Sequence, residues 1–162
     1  MDTKDLADAA YDRAFDLDVK VGCCPQCVLT AIKETVGGIT DELIKASHGL
    51  SGGGSLDGGG TCGALSGGLL ALGTRRGRDA DKLTAGRGMA NFEIGQQLTE
   101  RFRQEYGATT CEGLQLRFSG RTWDFWKAEE YKGFSDARGD RCARASGLVA
   151  RWVVEMLAEK PD

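Results

Sequence analysis

The sequence has only two prolines, a single histidine and few aromatic residues (7%). Scarce proline leaves helices free to run without kinks. With His48 as the one histidine, any Ser-His-Asp triad or zinc-protease site would depend on that side chain alone, which argues against hydrolysis. His48 falls near the C-terminal end of a short predicted helix, where a partial positive charge is favourable. No window approaches 18 consecutive apolar residues, so no membrane span is expected. Neither sign of charge dominates: 21 Lys and Arg face 24 Asp and Glu, a net charge of −3. Without a concentrated basic surface, nucleic acid is not the expected partner. Period-two alternation is also missing and β-branched residues are sparse, which argues against strands.

Glycine and cysteine are what the chain does have, at 24 and six residues in 162. The cysteines are too thinly spread for a secreted disulfide scaffold. The N-terminal stretch MDTKDLADAAYDRAFDLD has no apolar core of the kind a signal peptide carries. A cytoplasmic location is therefore expected, and there clustered cysteines bind metal or do redox work more often than they form structural disulfides.

The apolar spacing is helical nearly throughout, which predicts one all-α domain over residues 1–162, a helical bundle with a glycine-rich loop. Leu6, Ala10, Ala14 and Leu17 predict a helix from about Asp5 to Leu17. A second is expected from Pro25 through Val36 to Gly37-Gly38, and Thr40 is placed to cap a third, ITDELIKAS. After the loop from Gly49 to Gly60, Leu65, Leu69 and Leu72 mark a helix ending at Gly73 or Gly77. Further helical segments are expected at Thr84–Tyr106, Thr110–Phe118 and Asp136–Glu159, with the aromatic stretch TWDFWKAEEYKGF as a helix lying across the surface of the core. The charged runs RRGRD (Arg75 to Asp79) and the C-terminal EKPD read as solvated surface.

The densest chemistry is Gly22-Cys23-Cys24-Pro25-Gln26-Cys27, a CxxC (Cys24 and Cys27) at a predicted helix start. Free N–H groups and the helix dipole there favour thiolate, the form that attacks disulfides and binds metal. The bland alternative is that these are small buried residues. The other three cysteines share stripes with apolar residues: Cys62 with Leu65 and Leu69, Cys111 with Leu114 and Phe118, Cys142 with Val149 and Met156. Four helices each turning one cysteine inward can build a cofactor site at one point, as bundles do; three ordinary core residues are the competing explanation. The two GGG triplets flanking Ser55-Leu56-Asp57 lack the GK[ST] of a P-loop and follow no strand. They suit close approach of backbone to a bulky cofactor, with plain flexibility as the alternative.

These elements resemble a family of redox-active proteins named for its spaced cysteines, C_GCAxxG_C_C. The resemblance covers about residues 21–157 and rests on Cys24-Pro25-Gln26-Cys27-Val28-Leu29, on the glycine run through Cys62-Gly63-Ala64-Leu65-Ser66-Gly67, on Thr110-Cys111, and on Cys142. It implies that Cys24, Cys62, Cys111 and Cys142 are the four family cysteines and that the role is redox or electron transfer. A similar domain occurs in split-Soret cytochromes, which carry an iron–sulfur cluster besides haem. This chain has no CxxCH for covalent haem, and it departs from the pattern in carrying Cys23 and Cys27 beside Cys24.

The leading expectation is an electron-transfer protein with a [2Fe–2S] or [4Fe–4S] cluster held by those four thiolates, with backbone around Gly60 and Gly63 stabilising the cluster's negative charge. Trp123, Trp126 and Trp152 are read mainly as packing residues, with screening of a cluster as their alternative role. Three other functions compete: thiol–disulfide chemistry using Cys24 and Cys27 with Cys23 as a shuttle, a structural zinc site, and an accessory subunit that carries no electrons. A redox partner protein and a homodimer are the expected associations.

Overall fold

A computed structural model describes residues 1–159, so the last three residues of the EKPD segment lie outside the described residues. Eight α-helices occupy the described part: α1 (Thr3–Val21), α2 (Cys24–Val36), α3 (Asp41–Ser47), α4 (Gly63–Arg76), α5 (Met89–Tyr106), α6 (Cys111–Ser119), α7 (Ala128–Arg138) and α8 (Arg141–Glu159). No strand occurs among the described residues; an isolated bridge joins Thr61 to Thr110. No helix among them is long and apolar enough to cross a membrane.

The helix ends follow local chemistry. Asp2, Thr40 and Thr110 cap α1, α3 and α6, each side-chain oxygen accepting from the backbone N–H three residues on. Gly107 (φ 69°) and Gly120 (φ 77°) end α5 and α6 in the left-handed conformation.

Two predicted helices are shorter than their apolar patterns suggest. The segment expected from Thr84 becomes helical only at Met89, after Gly86 and Gly88 take positive φ. The segment expected to run unbroken from Asp136 to Glu159 is interrupted at Gly139 (φ 58°) and Asp140, which separate α7 from α8.

One apolar core joins Ala7, Ala10 and Ala14 of α1 to Val28, Leu29 and Ile32 of α2, Leu65 and Leu72 of α4, Leu98 and Phe102 of α5, and Val149 and Val153 of α8. Small residues let the helices approach closely. A Cβ on Gly147 would stand 2.8 Å from the Tyr11 ring, and one on Gly68 would stand 2.5 Å from Val149 Cγ1. At the edge of this frame α1 brings a carboxylate inward. Asp18 is 2% exposed and its Oδ2 accepts a hydrogen bond from the buried Ser146 hydroxyl of α8.

Candidate redox site

Each of the four cysteines of the resemblance lies at the start of a helix. Cys24 is the first residue of α2, Cys62 the N-cap of α4, Cys111 the first residue of α6 and Cys142 the second residue of α8. For Cys142 this follows from the break at Gly139, because an unbroken helix would have put it mid-helix. All four, with Cys23, line one cavity of about 570 Å3; Cys27 does not. Four helix N-termini thus bring their positive dipole ends towards one space.

All six cysteines are free thiols, and burial is the first cause of every thiol shift. Burial pushes Cys62 well up, the nearby Cys142 thiol adds to this, and backbone N–H bonds from Ala64 and Leu65 oppose it. Cys142 is pushed up to about 11 by burial, against the lowering effect of the Arg138 guanidinium, which also hydrogen-bonds it. Cys24 is raised well above the ordinary range by burial, by Asp18 and by the Cys142 and Cys62 thiols. Cys111 is raised by burial, while its sulfur accepts from Gln115 Nε2 at 3.4 Å. The mutual influence among Cys24, Cys62 and Cys142, and of Cys111 on the latter two, reflects their sharing one space. Among the described residues, however, no group of three or more His, Cys, Asp or Glu side chains is arranged to hold a metal ion.

The glycine-rich segment forms a tight strap along the cavity. From Gly52 to Leu56 every φ is positive (64°, 79°, 93°, 49°, 64°), so Ser55 and Leu56 occupy backbone that side chains rarely adopt. Ser55 N donates to Gly49 O at 2.7 Å and Gly58 N to Gly52 O at 2.8 Å, closing the turn. Glu112 N, Cys111 N and Cys62 N then donate to Gly58 O, Gly60 O and Thr109 O at 2.8–3.0 Å. These bonds clasp the start of α4 to the start of α6, and with them Cys62 to Cys111.

Close approach fixes the glycines at Gly60 and Gly63. A Cβ on Gly60 would meet Gly53 O at 2.2 Å, and one on Gly63 would meet Pro25 Cδ at 2.8 Å and Cys24 Cβ at 3.3 Å. Gly63 lines the cavity. Gly60 does not; its N–H donates to Gly53 O at 3.0 Å within the strap.

The remaining expected residues divide. Cys27 is 2% exposed and is pushed up to about 12 by burial, then by Asp18 and Cys23. Cys23 is the N-cap of α2, raised by burial and held by Gln26 N–H and the Ser51 hydroxyl. His48 caps the C-terminal end of α3, as its position in the sequence suggests, and also lines the cavity. Trp152 is core and lies under Arg101; Trp123 packs against Phe134 and Arg121; Trp126 reaches the cavity while 75% exposed.

Sequence reasoning missed Arg138, Asp18 and Gln115. Asp18 was within reach of a pattern argument, because it continues the buried spacing Ala7, Ala10, Ala14. Arg138 was not, because its place beside Cys142 depends on the α7–α8 break. Gln115 is 1% exposed and bridges Cys111 to Trp123, whose backbone N–H donates to Gln115 Oε1 at 2.7 Å.

A family described as "Putative redox-active protein (C_GCAxxG_C_C)" matches residues 22–156. No curated protein and no solved structure matches the chain.

Proposed function

The chain belongs to the C_GCAxxG_C_C family of redox-active proteins, and from that premise we propose that Cys24, Cys62, Cys111 and Cys142 hold an iron–sulfur cluster in an electron-transfer protein. One observation carries the reading: thiols from the first turns of four different helices line a single cavity of about 570 Å3. When bound, such a cluster supplies one-electron transfer.

The chain's own groups suit a bulky, thiolate-ligated anion. The cysteines provide four sulfur donors. Backbone N–H groups of Ala64 and Leu65 and the side chains of Gln115 and Arg138 already donate to three of the four sulfurs, as outer-shell donors do at such centres. Gly63 keeps the Cys24 and Cys62 backbones close without a side chain intruding. Electron transfer further requires a redox partner protein.

The zinc alternative has less support. A tetrahedral ion needs four sulfurs about 2.3 Å from it, whereas these stand around a cavity large enough for a multi-atom group. The dithiol alternative needs Cys27 as partner, and that thiol is buried away from the cavity that Cys24 lines.

Anaerobic purification followed by iron, zinc and acid-labile sulfide assays and an absorption spectrum tests the reading. The expected result is a brown protein with comparable iron and sulfide that loses iron in Cys24→Ser but keeps it in Cys27→Ser. A colourless protein with one zinc per chain would sink the cluster, and iron retained in Cys24→Ser but lost in Cys27→Ser would overturn the ligand choice.

A further inference from the structure

The outer face of α4 carries an apolar groove that the thiol site does not use. Leu69, Leu70 and Gly73 of α4 form its floor, with Leu43 of α3 and Leu50 on one side and Asn91 of α5 on the other. It measures about 570 Å3 and shares no lining residue with the thiol cavity. This face is turned away from α8, because Gly68 meets Val149 of α8 and Leu70, two residues on, points about 200° round the helix. Leu43, Leu69 and Leu70 are half-buried and Leu50 is exposed, so apolar surface meets water along the groove.

A knob for this hole stands on its rim. Asn91 and Gly95, one turn apart on α5, face α4, where Gly95 approaches Leu69. Phe92 lies about 100° further round, and Arg101, which pairs with Glu155 of α8, lies about as far round in the other direction. Phe92 is therefore on the side of α5 away from α8, the side of the groove, and it is 57% exposed with Met89 exposed beside it. An isologous pair requires both hole and knob on one face, since each copy offers the same surface to the other.

Charge favours the same occupant. On the α3 rim Asp41 and Glu42 stand against Lys45, and Asp41 is already paired with Lys33, which leaves Glu42 to meet a second molecule. On the α5 rim, positions 75–88 leading into the helix carry five arginines and lysines against Asp79 and Asp81. A two-fold axis along α4 lays each α3 rim on the α5 rim of the other copy, acidic on basic. We propose that the outer face of α4 binds a second copy of this chain, with Phe92 of each copy entering the other's groove beside Leu43. The thiol cavity takes no part, so the pairing does not rest on what the thiols bind.

Sedimentation equilibrium of the full chain, purified anaerobically and run over about a hundredfold range of concentration, tests this. The expected result is a dimer whose dissociation constant rises by about tenfold or more in Phe92→Asp and by about threefold in Glu42→Lys. Leu116→Asp, at a comparably exposed leucine on α6, should leave it unchanged. Because all three side chains are exposed, circular dichroism of the variants should match the parent, and the comparison is then free of unfolding. A monomer at every concentration, or a dimer that Phe92→Asp leaves intact, overturns the proposal. A monomer that copurifies with lipid in a Phe92-dependent manner also overturns it, since the groove then takes a different occupant. Iron measured on the same samples separates the two readings: pairing without iron keeps this face and removes the cluster, and iron without pairing does the reverse.

Discussion

Cys24 and Cys27 are neighbours on the first turn of α2, yet they meet different surroundings. Cys24 faces the cavity with three other family cysteines. Cys27 turns into protein and is pushed up to about 12 by burial, by Asp18 and by Cys23. At pH 8 a thiol of that acidity is roughly one ten-thousandth ionised, against about a quarter for an ordinary cysteine. Iodoacetamide should therefore leave Cys27 unmodified in the native protein at pH 8, while the same residue is labelled readily in guanidinium. At 2% exposure the thiol is reached only through openings of the fold, so native labelling should stay far below the guanidinium rate at higher pH as well. Peptide mass spectrometry after timed quenching reads this directly. Native labelling at the rate of a free thiol would restore the Cys24–Cys27 dithiol as a working alternative.

At the scale of elements, the site is a meeting of helix starts, and glycine decides how close they come. Gly63 opens α4 against the first turn of α2, where an added methyl would collide with Pro25 and crowd Cys24. The proline ring cannot rotate away, so Gly63→Ala should destabilise by about 1–3 kcal/mol through overpacking and should lower iron content as Cys24 and Cys62 separate. Gly73, on the same helix, is the control. Its added methyl has no neighbour nearer than Asn91 Oδ1 at 4.0 Å, so Gly73→Ala should stabilise by about 0.5–1 kcal/mol from helix propensity alone. Denaturant melts with iron assays separate the two; equal effects at both positions would mean that the contact with α2 does not matter.

The same contrast shows what could be read from the chain. Pro25 and the residues after Cys62 announce helix starts by composition, so the first two cysteines were legible in their places. Thr110 before Cys111 is a cap signal of the same kind, but the apolar stripe drew attention to that cysteine's face rather than to its position at the helix end. The stripe through Cys142 hid its place entirely, because a stripe carries phase along a helix and does not report an interruption such as Gly139. The strap was visible as glycine. Its left-handed run through Ser55 and Leu56 was not, since those residue types disfavour such backbone.

For the whole molecule, the frame and the site draw on different interactions. Alanine and glycine faces of α1 and α8, the Asp18–Ser146 contact and the leucine and valine core hold the bundle whether or not the cavity is filled. The starts of α4 and α6 are held by loop hydrogen bonds, and at α4 the Ala64 and Leu65 N–H groups bond the Cys62 sulfur. A ligand bound only by the native state stabilises it in proportion to its affinity. Stripping metal from the anaerobic protein with a chelator should therefore lower the melting temperature, by about 2–4 °C for each kcal/mol of linkage lost. The local signature is more telling than the global one. If each supplies one thiol to the same group, hydrogen exchange should quicken at the first turns of all four helices together. Exchange along the middle of α1 and α8 should change little, since its protection comes from core packing. Faster exchange confined to one of the four helix starts would mean that the thiols do not act as one ligand set. Faster exchange spread evenly over the chain would mean that metal holds up the fold rather than the site.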